Sequence, residues 1–145
     1  MPILIFAYNV LWGLALALLL PAWCLASLFS SRLRRELVRR FDVITTLDPS
    51  SRPLQPGGLW FHGASAGEVV TVMPLIRRLE SSGQACSLLT TSTLRGSEMG
   101  ERESHGRFPS LVLPPDLYPL VRLLFEAARP KALILVNSEF WLNLI

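Results

Sequence analysis

Residues 59–68, Leu-Trp-Phe-His-Gly-Ala-Ser-Ala-Gly-Glu, decide the fold of this chain. Leu59–His62 is a short, mostly apolar run with the length of a buried strand. Gly63 and Gly67 then allow a tight turn. In Glu68–Ser81 apolar residues recur at helical spacing. A buried strand that leads at once into a helix opens a βαβ unit, so this stretch predicts a parallel sheet covered by helices.

The same alternation continues to the end of the chain. Three further apolar runs have strand length: Ala85–Thr90, Leu111–Leu113 and Ala132–Val136. Between them we predict a short polar helix at 97–104 and a helix at Leu117–Ala128, with Asp116 as its N-cap. Pro74 interrupts the helical pattern that follows the first strand. Four strands and about three helices predict a Rossmann-like α/β fold, in which ligands bind beyond the carboxyl ends of the strands.

Charge divides the chain into three parts. Residues 1–30 contain no charged side chain, residues 31–42 contain five arginines against two acidic residues, and residues 43–145 contain nine basic and nine acidic residues. The net charge of +3 therefore lies just after the apolar segment. A neutral main part excludes a nucleic-acid binder driven by global basic charge. A hydrophobic content of 50% excludes a disordered chain. The main part fits one small domain, which argues against a two-domain soluble enzyme.

The first segment has the length of a membrane helix. Ile3–Phe29 is 27 residues without a charge, enough to cross a hydrocarbon core of about 30 Å. Tyr8, Trp12 and Trp23 are amphipathic aromatics typical of membrane interfaces. Because Pro21 favours a kink, two structures stay open: a spanning helix, or a bent helix lying partly in one leaflet. A secretory signal peptide is disfavoured, since no charge precedes the apolar stretch and the stretch is too long.

The basic residues after this segment predict its orientation. Basic flanks stay cytoplasmic, so the carboxyl side lies in the cytoplasm, where each arginine contributes on the order of 1 kcal/mol against anionic headgroups. Cys24 and Cys86 show neither metal-site spacing nor a disulfide framework, which fits a reducing compartment. We divide the chain into a membrane anchor at 1–30, a basic segment and linker at 31–58, and an α/β domain at 59–145.

Glu68 is the only carboxylate in the first loop of the predicted sheet edge. A glutamate at a strand end can act as a general base, and a helix N-terminus favours an anion or a developing oxyanion. Ser65-Ala-Gly-Glu68 also fits the S-x-x-E capping box, in which both side chains cap the helix. Spacing alone leaves both interpretations open. The glycines match neither G-x-G-x-x-G nor the Walker pattern, so no nucleotide site is predicted.

Two other loops bring polar side chains to the same edge. Residues 90–96 are dense in hydroxyls and include Arg95, a set that can bind a sugar or a phosphate or can cap the following helix. Glu139 follows the last strand as a second carboxylate, and its alternative is a salt-bridged or capping role beside Trp141. His62 alone is more typical of a satisfied strand residue than of a ligand.

These loops, taken in order, resemble the 3-deoxy-D-manno-octulosonic acid (Kdo) transferases of lipopolysaccharide assembly. The family pattern is an apolar anchor with a basic stretch, then H-A-x-S-x-G-E, T-x-T-x-x-G, an L-P-x-D-x-P-like stretch and E-T-E-L-W-P-N. The corresponding segments here are His62–Glu68, Thr91–Gly96, Leu113–Pro119 and Asn137–Asn143. The resemblance covers nearly all of the chain, and the order of four motifs behind an anchor makes it specific.

The resemblance implies a GT-B glycosyltransferase, in which two Rossmann-like domains face each other across a cleft. Residues 59–145 would then be part of the N-terminal, acceptor-side domain. The implied acceptor is a lipid A precursor, and the implied donor is CMP-Kdo, bound by the C-terminal domain. The resemblance implies neither a metal nor another cofactor, and membrane lipid rather than nucleic acid as a partner. The implied location is the bacterial inner membrane, with the soluble part in the cytoplasm.

By the same resemblance Glu68 is the general base that deprotonates an acceptor hydroxyl, which favours the catalytic over the capping interpretation. Six further residues are implied to bind the acceptor or to support the site: Ser65, Gly67, Thr91, Thr93, Glu139 and Asn143.

Four residues depart from the family pattern. Asn137 replaces the first glutamate of the last motif and Leu142 its proline, while Arg95 replaces a threonine and Gly63 an alanine. The sequence also contains no donor domain, so we expect the 145 residues alone not to transfer Kdo. Two alternatives are a non-catalytic, membrane-anchored Rossmann-like binding module and another membrane-associated GT-B enzyme such as a lipid A disaccharide synthase.

Overall fold

The computed structural model describes residues 2–41, 54, 56–137, 139 and 141–145. Two helices come first, followed by four strands that alternate with three helices. The elements are α1 (Pro2–Phe29), α2 (Ser31–Phe41), β1 (Leu59–His62), α3 (Ala66–Ser81), β2 (Cys86–Thr91), α4 (Leu94–Ser104), β3 (Ser110–Val112), α5 (Tyr118–Ala128) and β4 (Ala132–Leu135). We call the strands together with α3, α4 and α5 the α/β unit.

The four strands form one parallel sheet in the order β3-β2-β1-β4. This confirms the predicted Rossmann-like α/β fold behind an apolar N-terminal helix. From β1 the chain first adds β2 and β3 on one side, and it then returns to add β4 on the other side of β1. A crevice opens at the carboxyl ends of the two strands at which this reversal occurs, here β1 and β4.

Both faces of the sheet are buried, because successive side chains of a strand point to opposite faces. Trp60 packs on one side with residues of α5, and Phe61 packs on the other with residues of α3. Both rings are fully buried. A strand buried on both faces needs a continuous apolar run, which is why the sequence of β2 is apolar where it crosses the core.

Several boundaries differ from the sequence predictions. α3 begins at Ala66 and continues through Pro74, so the proline does not end it. α4 begins at Leu94, earlier than predicted, because Thr93 caps it by accepting a hydrogen bond from the N–H of Gly96 at 3.2 Å. Within the basic segment and linker assigned to 31–58, residues 42–53 and 55 lie outside the described residues.

The prediction that Asp116 caps α5 is wrong. Leu117 occupies the N-cap position, and no side chain caps this helix. The carboxylate of Asp116 is fully buried and accepts hydrogen bonds from the hydroxyl of Tyr8 at 2.6 Å and from the N–H of Asn143 at 3.2 Å. Those two partners come from distant parts of the chain and outcompete the local cap.

α1 is long and apolar enough, by length and composition, to be a candidate membrane span. One of its faces nevertheless lies on the α/β unit. The side-chain amide of Asn9 donates to the side-chain oxygen Oδ1 of Asn143 at 2.9 Å, and the ring centroids of Trp12 and Trp141 lie 6.3 Å apart. The opposite face is apolar and exposed along its length: Ile3, Leu4, Phe6, Leu11, Leu14, Leu18, Leu25 and Leu28.

α2 is also docked on the α/β unit, through its last turn. Arg39 pairs with Glu101 at 2.9 Å, and Arg40 donates to the backbone carbonyl of Ser92 at 2.9 Å. These two arginines therefore join α2 to α4 and to the loop after β2, contacts that the sequence analysis did not predict. The remaining three, Arg32, Arg34 and Arg35, are exposed.

Gly100 explains how closely α4 approaches the sheet. A Cβ added there would collide with Ser110 and would stand 2.7 Å from the Cδ2 of Leu89, which is closer than real side chains pack. Only hydrogen fits at this position, so the glycine sets the distance between α4 and strands β2 and β3.

We predict that Gly100→Ala lowers the free energy of unfolding of the α/β unit by about 1–3 kcal/mol, the usual cost of overpacking. The measurement is denaturant unfolding in an uncharged detergent, followed by tryptophan fluorescence. Gly13→Ala is the control, because a Cβ there meets nothing within 4 Å. Equal stabilities for the two variants would contradict the close-packing role.

Candidate functional site

The turn between β1 and α3 holds Glu68 by its carboxylate. One carboxylate oxygen, Oε2, accepts the N–H of Ala64 at 2.5 Å, and the other, Oε1, accepts the side-chain amide of Asn137 at 3.4 Å. The hydroxyl of Ser65 accepts the N–H of Glu68 at 3.4 Å. Half of the predicted capping box therefore forms: Ser65 caps the helix, but Glu68 reaches the N–H of Ala64 instead of that of Ser65.

The position of this carboxylate follows from the strand order. Glu68 follows β1 and Asn137 follows β4, the two neighbouring strands at which the winding reverses. Gly67 is exposed beside it, and Glu68 itself is half-buried. A carboxylate held on two sides but open to solvent can accept a proton from a hydroxyl that approaches within about 2.6–3.2 Å.

A second group of polar side chains forms a buried hydrogen-bonded chain. The indole N–H of Trp60 donates to the hydroxyl of Thr90 at 2.8 Å, and this hydroxyl lies 2.9 Å from Nδ1 of His62. Nε2 of His62 lies 3.3 Å from the carboxylate of Glu139. This series of hydrogen bonds thus runs from the core of the sheet to a carboxylate at its edge.

The hydrogen bonds of this chain assign the His62 tautomer. A carboxylate only accepts, so Nε2 of His62 must hold the proton that points at Glu139. Nδ1 is then an acceptor and takes the hydroxyl proton of Thr90, whose oxygen accepts from Trp60. Burial lowers the pKa of His62 below its ordinary value, and the hydrogen bond and charge of Glu139 offset this only in part. His62 is therefore a neutral donor near neutral pH.

Glu139 is held as a carboxylate by three donors. Its Oε2 accepts from the hydroxyl of Ser92, from the indole N–H of Trp141 at 3.1 Å and from Nε2 of His62. Burial by itself raises the pKa of Glu139, but the hydrogen bonds from Ser92, Trp141 and His62 outweigh burial and lower it. Glu139 is therefore held in its ionised form, and the supporting role implied for it stays a prediction.

The resemblance implied two threonines in this region. Thr91 ends β2 and is buried, whereas Thr93 lies in the turn that follows and is exposed. Thr91 is fully buried and donates to the backbone carbonyl of Thr93 at 2.9 Å, so its hydroxyl supports the turn and does not face a ligand. Thr93 is exposed and caps α4. Its hydroxyl also donates to the carbonyl of Ala64 at 3.4 Å, which joins this turn to that of Glu68.

Asn143 connects α1 to the sheet edge. Its side-chain amide donates to the backbone carbonyl of Asp116 at 2.6 Å and to the side-chain oxygen Oδ1 of Asn9 at 3.3 Å. Asn143 thus joins α1 and the segment before α5 to the end of the described chain, and its hydrogen bonds go to Asn9 and Asp116. Among the described residues no three His, Cys, Asp or Glu side chains form a metal-binding group. The absence of a metal from the reaction stays a prediction.

Residues 31–145 match the family described as 3-deoxy-D-manno-octulosonic-acid transferase (kdotransferase), N-terminal part. The chain belongs to this family. The match begins at the first residue of α2 and includes every strand, so the family sequence extends across the basic helix and the whole α/β unit.

Three curated Kdo transferases illustrate the similarity. The chain is 32% identical over 141 residues to a 3-deoxy-D-manno-octulosonic acid transferase of Haemophilus influenzae, covering 97% of this chain and 32% of that protein. It is 37% identical over 107 residues to that of Aquifex aeolicus, covering 73% and 30%. It is 27% identical over 141 residues to that of Chlamydia pneumoniae, covering 95% and 31%. The chain spans about a third of the length of the curated relatives it matches.

The sequence analysis gave His62 no role in the candidate site and named Thr90 and Ser92 only as members of the hydroxyl-rich loop at 90–96. His62 is the satisfied strand residue that the sequence predicted, and it also joins β1 to the loop after β4. The available signal was position, because His62, Thr90 and Glu139 all stand at or just beyond the carboxyl ends of neighbouring strands. Parallel pairing brings such residues together.

We predict that His62→Gln reduces the dependence of stability on pH below about 6.5. Because the pKa of His62 is lowered in the folded chain, the unfolded chain binds a proton at higher pH. Stability is therefore complete above the unfolded pKa of about 6.5 and falls as pH drops toward the folded pKa. The lowered pKa of Glu139 acts in the same direction at lower pH.

The measurement is the free energy of unfolding from about pH 7 to about pH 5 for both proteins. His105→Asn is the matched control: His105 is exposed, and its φ of 50° is one that asparagine tolerates. The same slope in His62→Gln as in the unchanged chain would contradict the role assigned to His62.

We also predict that Asn9 and Asn143 stabilise each other. In a double-mutant cycle of Asn9→Leu and Asn143→Leu, we expect a coupling energy of about 0.5–3 kcal/mol, as for residues in direct contact. The cycle of Asn9→Leu with Glu126→Gln serves as the control, since Glu126 is exposed on α5 and pairs with Arg122. No coupling in the first cycle would mean that α1 does not bind the α/β unit through Asn143.

Proposed function

We propose that this chain forms the acceptor-side part of a Kdo transferase that moves Kdo from CMP-Kdo to a lipid A precursor, with Glu68 as the general base. The observation on which the proposal depends most is the placement of Glu68. Its carboxylate is held by the N–H of Ala64 and the amide of Asn137 at the point where the sheet reverses its winding. Membership of the Kdo-transferase family supports the type of reaction.

In the proposed reaction an acceptor sugar hydroxyl approaches Glu68. The carboxylate takes the hydroxyl proton while the oxygen attacks the anomeric carbon of the donor sugar. The bond from that carbon to the phosphate of CMP breaks, and CMP leaves with the electron pair. Because the two hydrogen bonds to Glu68 fix its orientation in advance, the base is placed before the acceptor arrives.

The second carboxylate has a different role in this proposal. Glu139 is held by Ser92, Trp141 and His62 and stays ionised, so it is suited to accept hydrogen bonds from acceptor hydroxyls. His62 lies against this carboxylate, and the negative charge of Glu68 also acts to raise the pKa of His62. We therefore assign His62 as a residue that positions Glu139.

Asn137 departs from the family pattern at this site. Where the family pattern has glutamate, the asparagine donates a hydrogen bond to Glu68, which glutamate in its ionised form cannot do. Asn137 therefore holds the base by donation and avoids placing a second negative charge beside it.

The exposed apolar face of α1 supports attachment to a membrane, and the exposed arginines of α2 support a surface with anionic headgroups. Since Tyr8, Asn9 and Trp12 lie on the α/β unit, we propose that α1 rests in one leaflet of the bacterial inner membrane rather than crossing it. The α/β unit would then lie on the cytoplasmic side, next to a lipid acceptor.

A non-catalytic binding module is the second candidate, and one observation favours it. The carboxylate of Glu68 accepts the N–H of Ala64 at 2.5 Å, a contact that by itself is sufficient for a structural role in the turn. The two candidates differ in what is lost when the charge of Glu68 is removed.

We predict that Glu68→Gln reduces Kdo transfer by about 100-fold or more, the usual contribution of a general base. The assay uses a chimera in which this chain replaces the matching third of the Haemophilus influenzae relative, with CMP-Kdo and a lipid A precursor as substrates. Removal of the charge leaves the size of the side chain unchanged, so we expect the melting temperature to change little.

Glu126→Gln is the matched control, because it removes an exposed carboxylate from α5. Full transfer by the Glu68→Gln chimera would overturn the proposed role. If the melting temperature falls and the folded fraction of the variant transfers Kdo normally, Glu68 acts as a helix cap and not as the base.

A further inference from the structure

Ser92, in the loop after β2, connects the two carboxylates of the candidate site. Its hydroxyl donates to Oε2 of Glu139, and its backbone N–H donates to the carbonyl of Ala64 at 3.2 Å. Ala64 in turn donates its own N–H to the carboxylate of Glu68. A displacement of Ser92 would therefore change the surroundings of both carboxylates.

Arg40 of α2 binds the backbone carbonyl of the same residue. Its guanidinium donates from Nη2 to the carbonyl of Ser92 at 2.9 Å and from Nη1 to the carbonyl of Leu113 at 3.4 Å. A guanidinium is a planar fork of donors, so two simultaneous contacts fix the position of α2 relative to both carbonyls. One arginine thus joins α2 to the loop after β2 and to the residue that follows β3.

Stability alone does not explain an arginine at this position. The side chain of Arg40 is 20% exposed, and its Nε is buried and donates to no acceptor in the described part of the chain. The carboxylate of Glu36 lies 3.5 Å from its Nη2, and the adjoining cavity of about 140 Å³ has mostly apolar walls, including Trp12 and Trp141. Because a buried charge with an unsatisfied donor costs stability, the contacts of Arg40 point to a role at the site.

The carboxylate of Glu139 is oriented by its donors. Ser92, Trp141 and His62 all donate to Oε2, while Oε1 accepts no hydrogen bond from the residues that the structure describes. The side chain of Glu139 is 33% exposed. Three donors on one oxygen fix the rotation of the carboxylate and leave the other oxygen available to a hydroxyl of a ligand.

We propose that Arg40 is a positioning residue of the acceptor side: by holding Ser92 it fixes the carboxylate of Glu139, so that Oε1 can accept a hydrogen bond from an acceptor hydroxyl. The inference rests on the proposed function for the role of Glu139 toward the acceptor, but not for the positioning itself. Arg40 is not among the donors to Glu139, so its effect on that carboxylate passes through Ser92.

The first measurement follows the indole N–H signal of Trp141 in the NMR spectrum of the full chain, in an uncharged detergent at neutral pH. This signal reports the hydrogen bond from Trp141 to Glu139, and Trp141→Phe assigns it. We expect Arg40→Gln and Ser92→Ala each to shift the signal. The double variant should shift it no further than Ser92→Ala does, because both changes act through one residue.

Arg34→Gln is the matched control, since it removes the same charge from an exposed position of the same helix. It should leave the Trp141 signal unchanged, and the indole signal of the buried Trp60 should stay in place in every variant. Additive shifts in the double variant would mean that Arg40 acts on Trp141 directly, across the cavity that both line, and would overturn the proposal. An unshifted Trp141 signal in Arg40→Gln would do the same.

Arg40→Lys keeps the proposal testable if Arg40→Gln lowers the melting temperature strongly. Lysine retains the charge but replaces the planar fork by a single ammonium group, which does not hold both carbonyls in the same geometry. We expect a smaller shift of the Trp141 signal in the same direction, and no further shift when Arg40→Lys is added to Ser92→Ala. Additivity in this pair would count against the proposal as in the first.

The second measurement is steady-state Kdo transfer by the chimera described above. We expect Arg40→Gln to raise the KM for the lipid acceptor about tenfold, as for the loss of one hydrogen bond to a charged group. We expect kcat and the KM for CMP-Kdo to change less than about twofold, because the positioned carboxylate binds the acceptor only. In the Ser92→Ala background the same change should have little further effect. An unchanged KM for the acceptor would overturn the assignment.

These outcomes are separable from those of the proposed reaction. The NMR measurement requires no transfer, so normal transfer by Glu68→Gln would contradict the proposed function and leave the positioning of Glu139 standing. Additive shifts together with an unchanged acceptor KM would contradict the inference and leave the role of Glu68 standing.

Discussion

The rest of this structure depends on the parallel pairing of β1 with β2 on one side and with β4 on the other. Parallel strands need crossover connections, so each strand is followed by a helix, and all carboxyl ends meet at one edge. That edge collects the turn of Glu68, the loop of Ser92 and the loop of Glu139. This edge thus places two carboxylates beyond the carboxyl ends of the strands, Glu68 in the first turn of α3 and Glu139 after β4, and each accepts a hydrogen bond from another strand's loop.

The two N-terminal helices are part of the same construction. α1 does not behave as a separate tail, because Tyr8 donates to one oxygen of the buried carboxylate of Asp116 and Asn9 pairs with the side-chain amide of Asn143. α2 is attached by Arg39 and Arg40, and its other three arginines are exposed. The same two helices therefore carry the exposed apolar and basic surfaces and also pack on the α/β unit.

The candidate site was predictable in part. The order of motifs pointed to Glu68, Ser65 and Glu139, and the capping chemistry of Ser65 followed from its spacing to Glu68. His62 could not be assigned from its own segment, because its partners Thr90 and Glu139 lie 28 and 77 residues away. Asp116 shows the opposite failure: its local sequence fits an N-cap, but burial against α1 gave its carboxylate stronger partners.

The sequence by itself determined which segments become strands and helices, because apolar periodicity, glycine turns and hydroxyl caps act over a few residues. It also determined that an apolar helix precedes a basic segment. Only the tertiary structure decided which side chains share a site. The His62–Glu139 contact and the Asn137–Glu68 contact each join segments far apart in sequence, and their geometry exists only after the sheet has set the strand order and the helices have packed on it.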